Sequence, residues 1–283
     1  TQPCSSAASD VYKRQLVLNV NDKKISLMAE YLDEENYYLP YYKTYTSVEN
    51  VDWDIINEDL FFYNKNTLDI APSFFPQEDL FSNWSVTSNS ANIDLKKKQL
   101  KLNDVDELQI SDAFILPRNG EVEIGENFSI SKLYDSEIIL DTINEYHRFI
   151  NASVDINSKD QFIGSGIYEY VNFNNDTFNI PFSEFKLVET FDENEQKIKT
   201  SFSSGVVDKE SPILMEPGFN FFGNIELFAN NAQLLFNGKI IPSEIKNFNE
   251  NRAISYNNYF APGDQLSINT VSYTHLRAHE TRS

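Results

Sequence analysis

Cysteine occurs once in the 283 residues, at Cys4, and histidine three times, at His147, His275 and His279. A single cysteine excludes a disulfide framework and a thiolate metal site, and it leaves the redox compartment open. So few histidines give zinc or general-base chemistry little to work with. The nine glycines never fall into G-x-G-x-x-G, so a dinucleotide fingerprint is missing, and so is the G-x-S-x-G elbow of a serine hydrolase. No apolar run approaches the ~20 residues that a membrane helix needs. Positive charge is short as well: 23 Lys+Arg stand against 43 Asp+Glu, a net charge of −20 at pH 7. A field of that sign repels phosphate backbones and argues against nucleic acid as a direct partner. It also disfavours bare anionic lipid headgroups unless divalent cations bridge them.

What is present changes abruptly near both ends. All 32 asparagines lie between Leu16 and Thr270, a stretch dominated by Asn, Asp, Glu, Ile, Leu, Phe, Tyr, Ser and Lys. Residues 1–15, "TQPCSSAASDVYKRQ", and residues 271–283, "VSYTHLRAHETRS", hold no asparagine and have a different mix, with Ala, Arg, Cys4, His275 and His279. Such shifts mark segments to be set apart from fold reasoning. Both segments resemble translated sequencing-adapter read-through. That resemblance implies that Cys4, His275 and His279 lose functional weight, and that the rest is a piece of a longer protein. Without the two ends the chain carries 19 basic and 41 acidic residues. Its roughly 255 residues suffice for one large domain or two medium ones.

The dominant pattern is alternation with a period of two. It runs through Ile25, Leu27, Ala29 and Tyr31, through Val122 and Ile124, through Phe178, Ile180 and Phe182, and through Leu234 and Phe236. Alternate side chains of a strand face opposite ways, so each run offers one apolar and one polar face. Turn chemistry separates the runs at Arg118–Gly120, Asn230–Asn231 and Asn237–Gly238. The segment "ILDTINEYHRFI" also fits helical spacing, through Ile139, Ile143, Tyr146 and Ile150, but its β-branched and aromatic content favours strand. "NGEVEI" (119–124) and "FGNIEL" (222–227) form a faint echo of the kind stacked β-repeats produce. The expected fold is all-β, a stacked or open antiparallel sheet with solenoid or jellyroll-like repeat character. Residues 16–89 form a Tyr- and Phe-rich β or irregular region, and residues 90–270 form a β-repeat region.

Each chemical candidate has a plainer reading beside it. His147 lacks His or Cys partners and reads as a histidine satisfied at a strand edge. The acids of Asp52–Asp54, Glu58–Asp59, Asp104–Asp106–Glu107 and Asp192–Glu193–Glu195 could include a glycosidase pair, but the fold sets that spacing, and solvated loops are the plainer reading. "NFNNDTFN" (172–179) and "FDENEQ" (191–196) are rich in oxygen ligands but match no EF-hand, and read as surface turns. Gly164–Gly166 lacks the rest of a P-loop and reads as a bulge or a close strand approach. Tyr37, Tyr38, Tyr41, Tyr42 and Tyr45 could stack on sugars, with sheet packing the plainer reading. Pro72 and Pro76 bracket two Phe and suggest turning chain or an edge strand. Lys96–Lys98 reads as a solvated strand end. No residue is nominated as catalytic, cofactor-binding or metal-binding.

Three segments in order, Asp112–Val122 within "DAFILPRNGEV", Tyr146–Ile156 within "YHRFINASVDI" and Gly164–Asn172 within "GSGIYEYVN", resemble a family of long exported proteins of Gram-negative bacteria with no established activity. Phe219–Ile240 is similar in pattern to the β-jellyroll repeats of periplasmic lipopolysaccharide-transport proteins. The resemblance implies an exported, periplasmic or cell-surface location. It carries no site residue onto this chain. The expected role is structural or interaction-based and non-enzymatic, with envelope, glycan or protein partners and flanking domains of the same longer chain. The alternatives are a carbohydrate-active β-protein, whether binding module or glycan-cleaving enzyme, and a lipid-guiding β-groove.

Overall fold

A computed structural model describes residues 14–19, 24–29, 37–48, 50–64, 73–77, 79–191, 196–244, 253–262, 264 and 266. Cys4, Tyr31, Pro72, Asp192–Glu195, His275 and His279 lie outside these, as does nearly all of the two end segments. The described chain is all-β, with three antiparallel sheets, none closed into a barrel. Among the described residues no helix is long and apolar enough to cross a membrane, which leaves strand-built spans unaddressed.

The first half alternates between layers. The strands of one sheet are β1 (Arg14–Asn19), β2 (Lys24–Ala29), β5 (Asn50–Asp54), β6 (Asp59–Tyr63), β9 (Ser90–Asp94), β10 (Gln99–Asn103) and β13 (Val122–Ile124), in that order across the sheet. A second sheet holds β3 (Tyr37–Leu39), β4 (Thr44–Thr46), β7 (Ser73–Pro76) and β8 (Val86–Thr87). The chain visits the two in turn, hairpin by hairpin. β6 and β9 pair across the position near Ser88–Ser90 where regular alternation sets in.

Two of these hairpins are copies of one design. β5–β6 and β9–β10 each open with an aspartate and close through four residues, 55–58 and 95–98. Asp54 Oδ1 accepts from the backbone N–H of Ile56 and Asn57 at 3.0 and 3.1 Å, and Asp94 Oδ1 from that of Lys97 at 2.9 Å. The last loop residue is left-handed in both, Glu58 at φ 63° and Lys98 at φ 54°. Stacking in register lines up Val51, Phe62, Ala91, Leu102 and Val122 as one buried row, with Asp52, Phe61, Asn92, Lys101 and Glu123 on the other face. Lys96–Lys98 thus sit in a loop at a strand end. The echo between "NGEVEI" and "FGNIEL" does not mark such a repeat, because Val122–Ile124 and Ile225–Leu227 belong to different sheets. The shared wording reflects only the in–out alternation common to every strand.

Pro76 is the last residue of β7, which lies between β4 and β8 and so is not an edge strand. The ladder continues past it through the Gln77 N–H, which donates to the Lys43 carbonyl at 2.8 Å.

The third sheet takes the second half. Its order is β11 (Leu108–Ile110), β12 (Ala113–Leu116), β14 (Leu133–Leu140), β15 (His147–Ser158), β16 (Gln161–Val171), β17 (Thr177–Phe191), β18 (Lys197–Val207), β20 (Phe219–Phe228), β21 (Leu234–Pro242) and β22 (Ile254–Phe260), with β19 (Ile213–Glu216) beside β20. Register shifts interrupt the β14–β15, β15–β16 and β17–β18 ladders. Asp135, Asn151 and Glu184 sit at those shifts with φ of 51°, 50° and 59°. Bulges bend and twist a sheet, and this one folds over on itself. The rings of Tyr170 on β16 and Phe236 on β21 are 5.8 Å apart although three strands separate them in the sheet. Phe149 packs against Phe182 and Phe185 at 5.5 and 4.8 Å. Burying a side chain of this size stabilises by about 1.5–3 kcal/mol. The buried apolar residues of all three sheets form one continuous cluster.

The segment that fitted both periods is strand, turn, strand. β14 ends at Leu140, residues 141–146 turn, and β15 starts at His147. Arg118–Gly120 and Asn230–Asn231 are turns, but Asn237–Gly238 lies inside β21. There the glycine serves close strand approach, opposite Gly223. Gly164 and Gly166 serve the same end in β16: an added methyl would sit 2.9 Å from the Ser153 carbonyl oxygen and 3.1 Å from Phe149 Cβ, respectively.

Candidate functional site

Among the described residues, the carboxylates singled out in the sequence do not gather at one site. Asp54 caps its turn, and Asp52 accepts from the Tyr63 hydroxyl at 3.1 Å. Asp104 and Asp106 line a cleft of about 530 Å³ together with Arg118, Asn119, Asp135 and Glu137. Two of its acids are matched by cations: Arg118 pairs with Asp135, and Arg148 with Glu137. Among the described residues no group of three or more His, Cys, Asp or Glu could hold a metal ion. Asn172 spends its side chain on its own turn. Its Oδ1 accepts from the N–H groups of Asn174 and Asp176, both at 2.9 Å, and its Nδ2 donates to the Leu214 carbonyl at 3.2 Å.

The tyrosine cluster is divided by the β3–β4 hairpin. Tyr42 is buried, which pushes its hydroxyl up to about 12, and Tyr38 stacks on Tyr45 with centroids 4.7 Å apart. Tyr41 is exposed beneath Lys98, whose Nζ lies 5.6 Å from the ring centroid. Leu39, Leu60, Ile93 and Leu95 complete an apolar recess of about 330 Å³ there. Most of the cluster is sheet packing.

His147 is the buried end of a different structure. It opens β15 and is 1% exposed. Its Nε2 lies 2.7 Å from the Asn231 carbonyl and its Nδ1 3.3 Å from the Tyr168 hydroxyl. A carbonyl only accepts, so Nε2 carries the proton and Nδ1 accepts from Tyr168. Burial holds the imidazole below its usual value, partly offset by the Asn231 bond, and burial lifts the Tyr168 hydroxyl to about 12. The histidine is satisfied, as its isolation suggests, but in the interior.

The bond from His147 fixes the floor of a second cleft of about 530 Å³, lined by Tyr146, Thr190, Phe191, Phe228, Asn230, Asn231, Ala232, Gln233 and Tyr259. Local hydrogen bonds place the floor and the Tyr146 wall. Tyr146 ends a turn organised by Asp141, whose Oδ1 accepts from the Ile143 N–H at 3.0 Å and whose carbonyl accepts from the Glu145 N–H at 2.7 Å. Asn231 Oδ1 accepts from the Gln233 N–H at 2.9 Å. Gln233 Nε2 donates to Asp264 Oδ2 at 2.7 Å, and the same oxygen accepts from the Ala261 N–H at 2.8 Å. Tyr146, Phe191 and Tyr259 are 42%, 67% and 45% exposed. Among the described residues the lining holds no charged side chain. The sequence offered only fragments of this site, Asn230–Asn231 as a turn and Tyr146 as part of a strand pattern, because its parts come from four distant stretches.

No family model, no curated protein and no solved structure matches the chain.

Proposed function

We propose that the chain is a non-enzymatic structural and interaction module of a larger exported or envelope-associated protein. The observation that carries the reading is the continuous apolar interior spanning all three sheets. In the acidic cleft, arginines pair with Asp135 and Glu137, and the remaining two acids, Asp104 and Asp106, come from one short stretch of chain, whereas a glycosidase needs two carboxyls on either side of a scissile bond. The export part of the reading rests on the family resemblance of Asp112–Val122, Tyr146–Ile156 and Gly164–Asn172. The sheets serve as a stiff spacer that presents surface to partners.

The test is to incubate the full chain with a panel of polysaccharides and follow new reducing ends. The expected result is no release above the buffer rate. Release that disappears in Asp104→Asn, Asp106→Asn, Asp135→Asn or Glu137→Gln would overturn the reading in favour of a glycan-cleaving enzyme.

A further inference from the structure

We propose that the cleft walled by Tyr146, Phe191 and Tyr259 and floored by Asn230, Asn231 and Gln233 binds a neutral saccharide. This rests on the reading of the chain as an interaction module and names the chemistry of its contact.

Three properties point to that ligand class. The first is the exposure of the rings. Three aromatic side chains around one opening leave faces uncovered. Flat apolar faces suit the C–H surface of a sugar ring, and a tyrosine adds a hydroxyl at the rim. The second is the polarity of the floor. Asn230 has no hydrogen-bond partner among the described residues, Asn231 uses its Oδ1 and leaves Nδ2 available, and Gln233 uses its Nε2 and leaves Oε1 available. An amide offers both a donor and an acceptor, and a sugar hydroxyl reads both. A purely apolar ligand would strand these groups without partners. The third is the absence of charge in the lining among the described residues. Phosphate, sulfate and carboxylate ligands need cations, and the chain's overall −20 adds repulsion.

The cleft is also built before any ligand arrives. The His147 bond to the Asn231 carbonyl and the Gln233–Asp264–Ala261 bonds tie the floor to β15 and to the end of β22. A preformed floor reduces the ordering cost of binding.

The experiment titrates the full chain with neutral cello-, malto-, xylo- and chito-oligosaccharides by calorimetry, alongside Tyr146→Ala, Tyr259→Ala and Asn230→Ala. These side chains are exposed, so thermal melts should match that of the parent chain. The expected result is binding of at least one series, weakened about tenfold by either tyrosine change, in line with the loss of one aromatic contact. Asn230→Ala should weaken it about threefold, in line with the loss of one neutral hydrogen bond. No binding of any series at millimolar sugar overturns the proposal, and so does binding that all three variants retain in full. Tight binding of unstructured peptides in place of sugars overturns it too. Reducing ends appearing during the titration would count against the non-enzymatic reading while leaving the site in place.

Discussion

Gly223 on β20 and Gly238 on β21 face each other with no room for a side chain on either. A methyl on Gly238 would collide with the Phe222 carbonyl oxygen and would lie 2.8 Å from Gly223 Cα and 3.0 Å from the Phe221 ring. A methyl on Gly223 would lie 2.8 Å from the Asn237 carbonyl oxygen, and that residue has φ 136°, which L side chains rarely adopt. The pair lets the two strands approach where Phe221 and Phe236 meet at 4.9 Å.

Gly238→Ala is therefore expected to destabilise the chain by about 3 kcal/mol, the upper range for overpacking a filled interior. Urea unfolding of parent and variant measures it. A change under about 0.5 kcal/mol, the level of a neutral surface substitution, would show that the strands can part there.

Asp112 clasps the folded-over sheet. From the β11–β12 turn its carboxylate accepts from the Ser201 N–H at 2.7 Å, the Ser201 hydroxyl at 2.5 Å and the Thr200 hydroxyl at 3.1 Å. Both partners on β18 are buried. Asp112→Ala leaves those donors without an acceptor and is expected to cost about 3 kcal/mol. Asp112→Asn keeps the shape and one acceptor oxygen, and should cost less. Equal stability of Asp112→Ala and the parent chain in denaturant would mean that water replaces the carboxylate.

The all-β character was legible because a period of two is local: Phe178, Ile180 and Phe182 announce a strand without reference to anything else. The role of Gly238 was not legible, since Asn-Gly reads as a turn in isolation and only Gly223, fifteen positions away, makes it a strand contact. The hairpin repeat was hidden for a related reason. Its inward positions hold Val51 and Phe62 in one copy and Ala91 and Leu102 in the other, so geometry repeats where sequence does not. For the cleft, Tyr146, Phe191, Asn230 and Tyr259 carry no common motif and are joined only by the folding-over of the third sheet. The two arginines that occupy Asp135 and Glu137 were likewise invisible to spacing.

Tyr170 is 2% exposed and its hydroxyl has no hydrogen-bond partner among the described residues. Burial pushes that hydroxyl far above its usual value. A buried hydroxyl without a partner costs free energy that its ring does not need to spend. Tyr170→Phe keeps the ring beside Phe236 and is expected to raise stability by about 1 kcal/mol. Loss of stability in a thermal or denaturant melt would reveal a bridging water at that position.

His147 gives stability a pH dependence whose sign follows from its burial. In the unfolded chain its imidazole titrates near the ordinary value of about 6.5. In the fold, desolvation holds that value lower, and the Asn231 carbonyl and Asp141 only partly offset it. As pH falls below about 6.5, the unfolded chain takes up a proton that the folded chain refuses, so stability is complete above that point and declines beneath it until the lower folded value is reached. Comparing denaturant unfolding at about pH 7.5 and pH 5.5 should show the parent chain weaker at the acidic end. His147→Gln removes the titrating group and should flatten that interval. An unchanged slope in the variant would place the proton uptake elsewhere.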